Sequence, residues 1–169
     1  MRILDIPFNN DEQIKQDYYA YRRKADNPQH LPKVVSDAIE VDVARSFNHM
    51  KEVTAANLNN ILKAYATVNS QSLDYCQGMN FIAGFFFMLF EKREEYAFAV
   101  IKEVISRFHM QDLFDSQLPM LKLNFYQLDR LISLLLPDLH SHFKDEAINS
   151  SYFSAPYFIT IFTSTLQLQ

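Results

Sequence analysis

Apolar residues recur at three- and four-residue intervals along nearly all of this chain, and that period restricts it to helices. Ile14, Tyr18 and Tyr21 share one face of a first segment. Leu58, Ile61, Leu62 and Tyr65 share a face of a second, with Thr54 placed as its N-cap. Ala97, Val100, Ile101, Val104, Ile105 and Phe108 mark a third. Leu121, Phe125, Leu128, Ile132 and Leu135 mark a longer one, opened by Pro119 and stopped by Pro137. Residues 157–168 remain apolar and predict a last helix, while residues 24–32, with two prolines and an Asn-Pro pair, predict a loop. Val, Ile and Thr show no sustained alternation, and the only two glycines, Gly78 and Gly84, stand in no hairpin turn. The expected class is all-α.

The totals narrow function as well as fold. A chain of 169 residues is the size of one domain and buries enough surface to do without disulfides. Its net charge of -4 argues against a nucleic-acid backbone binder, which draws affinity from clustered Lys and Arg. Cys76 is the single cysteine, which excludes an internal disulfide, disfavours a Cys-based zinc site and suits a reducing, cytoplasmic compartment. The first residues carry no signal-peptide pattern, and the apolar run 81–90 is too short for a membrane span. That run reads as a buried core helix.

Most polar residues suggest no chemistry. His140 and His142, two apart, fall on different helix faces and lack a third ligand, so no metal is expected. Asp112 and Asp115 flank Phe114 in an expected turn. No Gly-rich phosphate loop or Ser-His-acid signature is present. Two places remain. Asp42 and Arg45 stand three apart, a spacing that by itself favours an exposed helical ion pair worth a few tenths of a kcal/mol, about 0.3. Gln77 and Gly78 stand at the door of the aromatic run, a place that by itself reads as a loop entering a core helix. Arg45 and Gln77 bracket the helix expected near 54–69, about 24 Å long at its usual rise. Residues 46–53, if extended, cover about 26 Å, so the chain can bring the two side chains to one point.

At these residues the sequence resembles the TBC domain, the GTPase-activating module for Rab-type small GTPases. The motif I-x-x-D-x-x-R is present as Ile39, Asp42 and Arg45. The motif Y-x-Q-G-M is present as Tyr75, Gln77, Gly78 and Met79, followed by Asn80. A late aromatic segment at 153–162 matches a third. The resemblance implies a helical TBC-type (Rab-GAP) fold over residues 36–162 of a single partial domain, 1–169. Expected are mostly the N-terminal sub-bundle and part of the second, with the helices after the third motif absent. Asn48 stands where the family often has proline, residues 69–75 lack its usual Pro and Gly, and Tyr157 stands where it usually has tryptophan.

The resemblance also implies roles. Arg45 would be an arginine finger and Gln77 a glutamine finger, both lent in trans to the GTP-bound partner. Asp42 would orient Arg45 or brace its loop, Tyr75 would fix the glutamine loop, and Gly78 would let the backbone turn where a partner comes close. Ile39, Met79 and Asn80 would support them. GTP and Mg would belong to the partner GTPase, so the chain would need no cofactor of its own. It would regulate a GTPase in vesicle trafficking, at endomembrane surfaces, rather than turn over its own substrate. The runner-up expectation is a non-catalytic helical adaptor that binds a GTPase or another partner without activating it.

Overall fold

The computed structural model describes residues 10–47, 53–68, 75–115 and 117–165. Their regular structure is entirely helical. In chain order the helices are α1 (Asp11–Ala25), α2 (Lys33–Ala44), α3 (Ala55–Tyr65), α4 (Met79–Leu89), α5 (Glu94–Arg107), α6 (Gln111–Phe114), α7 (Pro119–Leu135), α8 (Pro137–Asp145) and α9 (Ser151–Ile159).

The second of the expected apolar faces becomes the centre of the molecule. Thr54 caps α3 as predicted, its Oγ1 accepting the Asn57 N–H at 3.2 Å. From that start Leu58, Ile61 and Leu62 are sealed from solvent as α3 packs against α1, α2, α4 and α5. Each such side chain contributes about 1.5–3 kcal/mol by leaving water. Tyr18 of α1, Ile39 and Val43 of α2, Ile82 and Phe87 of α4, and Phe98 and Ile101 of α5 complete this core. α3 has 11 residues, about 16 Å at the usual rise, and is shorter than the 54–69 expectation.

A polar clamp closes one end of the bundle. The Glu94 carboxylate, in the first turn of α5, accepts hydrogen bonds from Tyr18 Oη of α1 at 2.5 Å and from Asn57 Nδ2 of α3 at 2.7 Å. Asn60 Nδ2 adds a third donor at 3.2 Å. Burial and the adjacent carboxylate push the Tyr18 hydroxyl's pKa well above its ordinary value, keeping it a donor. On the outside, Asp11 in the first turn of α1 meets Lys15, Arg93 and Tyr96, tying α1 to α5.

The later helices depart further from expectation. α7 packs against α6, α8 and α9. Pro137 ends α7, as its fixed φ and missing N–H require, and also occupies the first turn of α8, so one residue serves as stop and start. The last helix begins at Ser151 and ends at Ile159, earlier than predicted at both ends. Ile161 and Phe162 take positive φ, a conformation no helix can propagate, and 166–169 lie outside the described residues. Asp112 sits within α6 rather than in a turn, whereas Asp115 follows it and accepts the Gln117 N–H at 2.8 Å.

The clamp supports a direct stability test. Glu94→Ala leaves three partly buried donors without their acceptor, and the expected loss is about 1–3 kcal/mol in urea unfolding. Glu94→Gln, which retains an acceptor oxygen, is expected to lose less than half of that.

Candidate functional site at a cleft between α2, α4 and α9

Arg45 follows α2 directly. Its N–H bonds the Asp42 carbonyl at 3.2 Å as the helix closes, leaving its side chain exposed. Gln77 precedes α4 by two residues and is likewise exposed. Both line one open cleft of about 530 Å³. Its lining carries polar groups of Asp42, Arg45 and Ser46 at the end of α2, of Gln77 and Asn80, and of Thr160, with apolar surface from Phe81 of α4, Leu118, and Ala155, Pro156 and Ile159 of α9. The route anticipated between the two sites, 46–53, cannot be followed in full because 48–52 lie outside the described residues, as do Asn48 and 69–74.

Asp42 does not form the exposed ion pair that its spacing favoured. Its Oδ2 accepts the Tyr75 hydroxyl at 2.8 Å, and among the described residues Arg45 has no ion-pair partner. The reason is geometric: Tyr75 is half-buried beside α2, and its hydroxyl needs an acceptor that water supplies poorly there. Burial, with the Asp42 carboxylate adding to it, pushes the Tyr75 hydroxyl's pKa far up, so it stays a donor at neutral pH. Asp42 thus braces two segments and leaves the Arg45 fork open. Burial also pushes the neighbouring Cys76 thiol up, with the Asp42 charge contributing.

Two of the lining residues form a connection that no spacing indicated. Ser46 and Asn80 are only 7% and 4% exposed. Asn80 Nδ2 donates to Ser46 Oγ at 2.5 Å, Ser46 Oγ donates to the Asp42 carbonyl at 2.5 Å, and the Gly78 N–H donates to Asn80 Oδ1 at 3.1 Å. No motif or spacing in the sequence marks Ser46. A serine directly after Arg45 carries no local sign of a partner 34 residues away.

The glycine at the cleft has a different neighbour from the one expected. Gly78 takes φ +107 at the N-cap of α4, a region that disfavours side-chain-bearing residues. A Cβ there would lie 2.4 Å from Ile159 Cγ2. The close approach that demands glycine is therefore made by α9 of the same chain. Ile39 and Met79, the expected supporting residues, are fully buried in the core. Met79 also accepts the Cys76 N–H at its sulfur, 3.4 Å away. Among the described residues, no group of three His, Cys, Asp or Glu side chains is placed to hold a metal ion. His140 instead faces Asp129 at 3.6 Å.

The family model of the Rab-GTPase-TBC domain matches residues 1–169. The chain belongs to the Rab-GTPase-TBC domain family. Among curated relatives, TBC1 domain family member 1 of Mus musculus is 31% identical over 172 residues, covering 98% of this chain and 13% of the relative. Rab GTPase-activating protein eat-17 of Caenorhabditis elegans is 31% identical over 140 residues, covering 80% of this chain and 15% of the relative. The chain therefore spans less than a sixth of either. The crystal structure of the Chlamydomonas flagellar RabGAP TBC domain superposes with a TM-score of 0.75 at 21% identity, over 90% of this chain and 49% of that one. That likeness fixes the TBC fold, all-α as the motifs implied.

Within this TBC fold Gly78 combines a positive φ with a close neighbour. Gly78→Ala combines an unfavourable φ with a methyl driven against Ile159, and is expected to destabilise by about 2–4 kcal/mol in urea unfolding. Adding Ile159→Ala removes the clashing methyl. The double variant is expected to be at least about 1 kcal/mol more stable than the sum of the single losses.

Proposed function

We propose that this chain accelerates GTP hydrolysis by a Rab-type small GTPase in its GTP-bound state, lending Arg45 and Gln77 in trans. The observation that carries the reading is their shared position: two exposed side chains, from motifs far apart in sequence, line one open cleft. The family and the printed name of the eat-17 relative, a Rab GTPase-activating protein, support the partner class.

The chemistry follows from the side chains. Phosphoryl transfer needs charge stabilisation and a positioned water more than covalent help. Arg45 supplies a planar, permanently charged fork to the oxygens between the transferred and leaving phosphates. Gln77, whose amide both donates and accepts, orients the attacking water. Asp42 and Tyr75 hold the segments on either side through their hydrogen bond. GTP and Mg²⁺ arrive on the GTPase, so the chain acts as a regulator without a cofactor of its own. Action on Rab-type partners places it at the cytoplasmic surface of endomembranes, reached through the partner. No helix among the described residues is long and apolar enough to cross a membrane.

Single-turnover GTP hydrolysis across a panel of Rab-type GTPases tests the reading. At least one member is expected to be accelerated. Arg45→Ala should lower that rate by about 10³-fold or more while binding changes only a few fold, because the guanidinium acts mainly in the transition state. Arg45→Lys should recover little, since a point charge does not reproduce the fork. Full activity in Arg45→Ala, or no acceleration of any Rab, would refute it. Stable binding with unchanged hydrolysis would assign the chain to the adaptor class instead.

A further inference from the structure

We propose that Asn80 and Ser46 are positioning residues whose buried hydrogen bond fixes the turn bearing Arg45 relative to the turn bearing Gln77, so that the two side chains engage as one unit. The catalytic half of this proposal rests on the reading of Arg45 and Gln77 given above; the mechanical half does not.

The atoms permit one consistent assignment. The Gly78 backbone N–H can only donate, so the Asn80 atom 3.1 Å away is its carbonyl oxygen. The Asn80 amide nitrogen then faces Ser46 Oγ at 2.5 Å and must donate to it. Ser46 has a single hydroxyl hydrogen, and with its oxygen already accepting, that hydrogen goes to the Asp42 carbonyl at 2.5 Å. Every group in the relay has its partner. It runs from the last turn of α2, through Ser46 and Asn80, to the backbone just before α4.

Its placement gives it leverage. Arg45 immediately precedes Ser46, and Gln77 immediately precedes Gly78. Each proposed finger is thus one peptide from an anchored atom, while its own side chain stays exposed. The anchors belong to the cleft wall and are almost closed to solvent, so a missing partner is poorly replaced there. Reaction geometry is sensitive to displacements of about 1 Å, and two residues on separate segments hold such tolerance only when a rigid element joins them. Tyr75 and Asp42 join the same segments, but by a side-chain carboxylate rather than through the backbone of both turns.

Ser46→Ala removes the bridge and leaves both partners of the Gly78–Asn80 bond present, with Asn80 no longer anchored on its other side. Ser46→Cys fills similar volume with a weakly bonding thiol and serves if alanine impairs folding. Ser46→Thr keeps the hydroxyl as the conservative control. The first readout, amide hydrogen exchange, needs no GTPase. In Ser46→Ala or Ser46→Cys, exchange at the Gly78 amide should speed by about tenfold, with Ser46→Thr near wild type. Unchanged exchange overturns the proposal. The second readout is Rab GTP hydrolysis: kcat should fall by about 10- to 100-fold with KM within about threefold, and Ser46→Ala should have little further effect in an Arg45→Ala background. If exchange responds but the wild-type chain accelerates no Rab, the mechanical bridge stands and its catalytic role falls with the finger reading. If the wild type is active and kcat is untouched by Ser46→Ala, the fingers stand and the positioning role is wrong.

Discussion

The burial of α3 by four surrounding helices is the constraint on which the rest of the structure depends. Leu58, Ile61 and Leu62 leave no part of its apolar face in water, and the helices that cover them cannot shift without opening the core. Two of those neighbours are α2 and α4. The end of one and the beginning of the other therefore acquire a fixed relation, and Arg45 and Gln77 inherit it. Site geometry here is a by-product of core packing before any polar contact is considered. The Asp42–Tyr75 and Ser46–Asn80 hydrogen bonds then set the finer distances between segments already brought together.

What could be read in advance follows the range of the interactions. The Thr54 cap and the apolar faces of α1, α3 and most of α5 were legible because each is written within a few residues, whereas α7 buries only Leu121 and Ile132 of its expected face, and Leu135 and Phe108, at helix ends, stand exposed. The convergence of Arg45 and Gln77 was legible as a possibility of chain length, and the motifs pointed to it. The Ser46–Asn80 bond was not, since a serine and an asparagine carry no sign of each other across 34 residues. The Asp42 pairing was misread on spacing because a local ion pair and a distant buried hydroxyl compete, and burial decides between them. α8 escaped notice since a proline normally read as a stop also begins a helix.

The two glycines express one steric theme. Gly78 gives way to Ile159, and Gly84 to the Phe47 ring, whose nearest atom would lie 2.3 Å from an added Cβ. In both cases a side chain from elsewhere occupies the space that a Cβ would fill. Phe47 follows Ser46 and also packs on Phe81 of α4, with ring centroids 5.7 Å apart. The segment after Arg45 is therefore held to α4 by an apolar contact as well as by the Asn80 amide. Both glycines of this chain thus stand where a side chain from elsewhere comes against backbone.

Cys76 gives the cleft a property of practical value. It is the sole thiol in the chain, and it forms part of the cleft lining beside Gln77. Its partial burial holds the thiolate fraction low, so alkylating reagents meet it slowly. A molecule seated in the cleft would shield it further. The rate at which a fluorescent maleimide modifies the unaltered protein is thus a natural gauge of occupancy, installed beside the residues of interest without a single substitution.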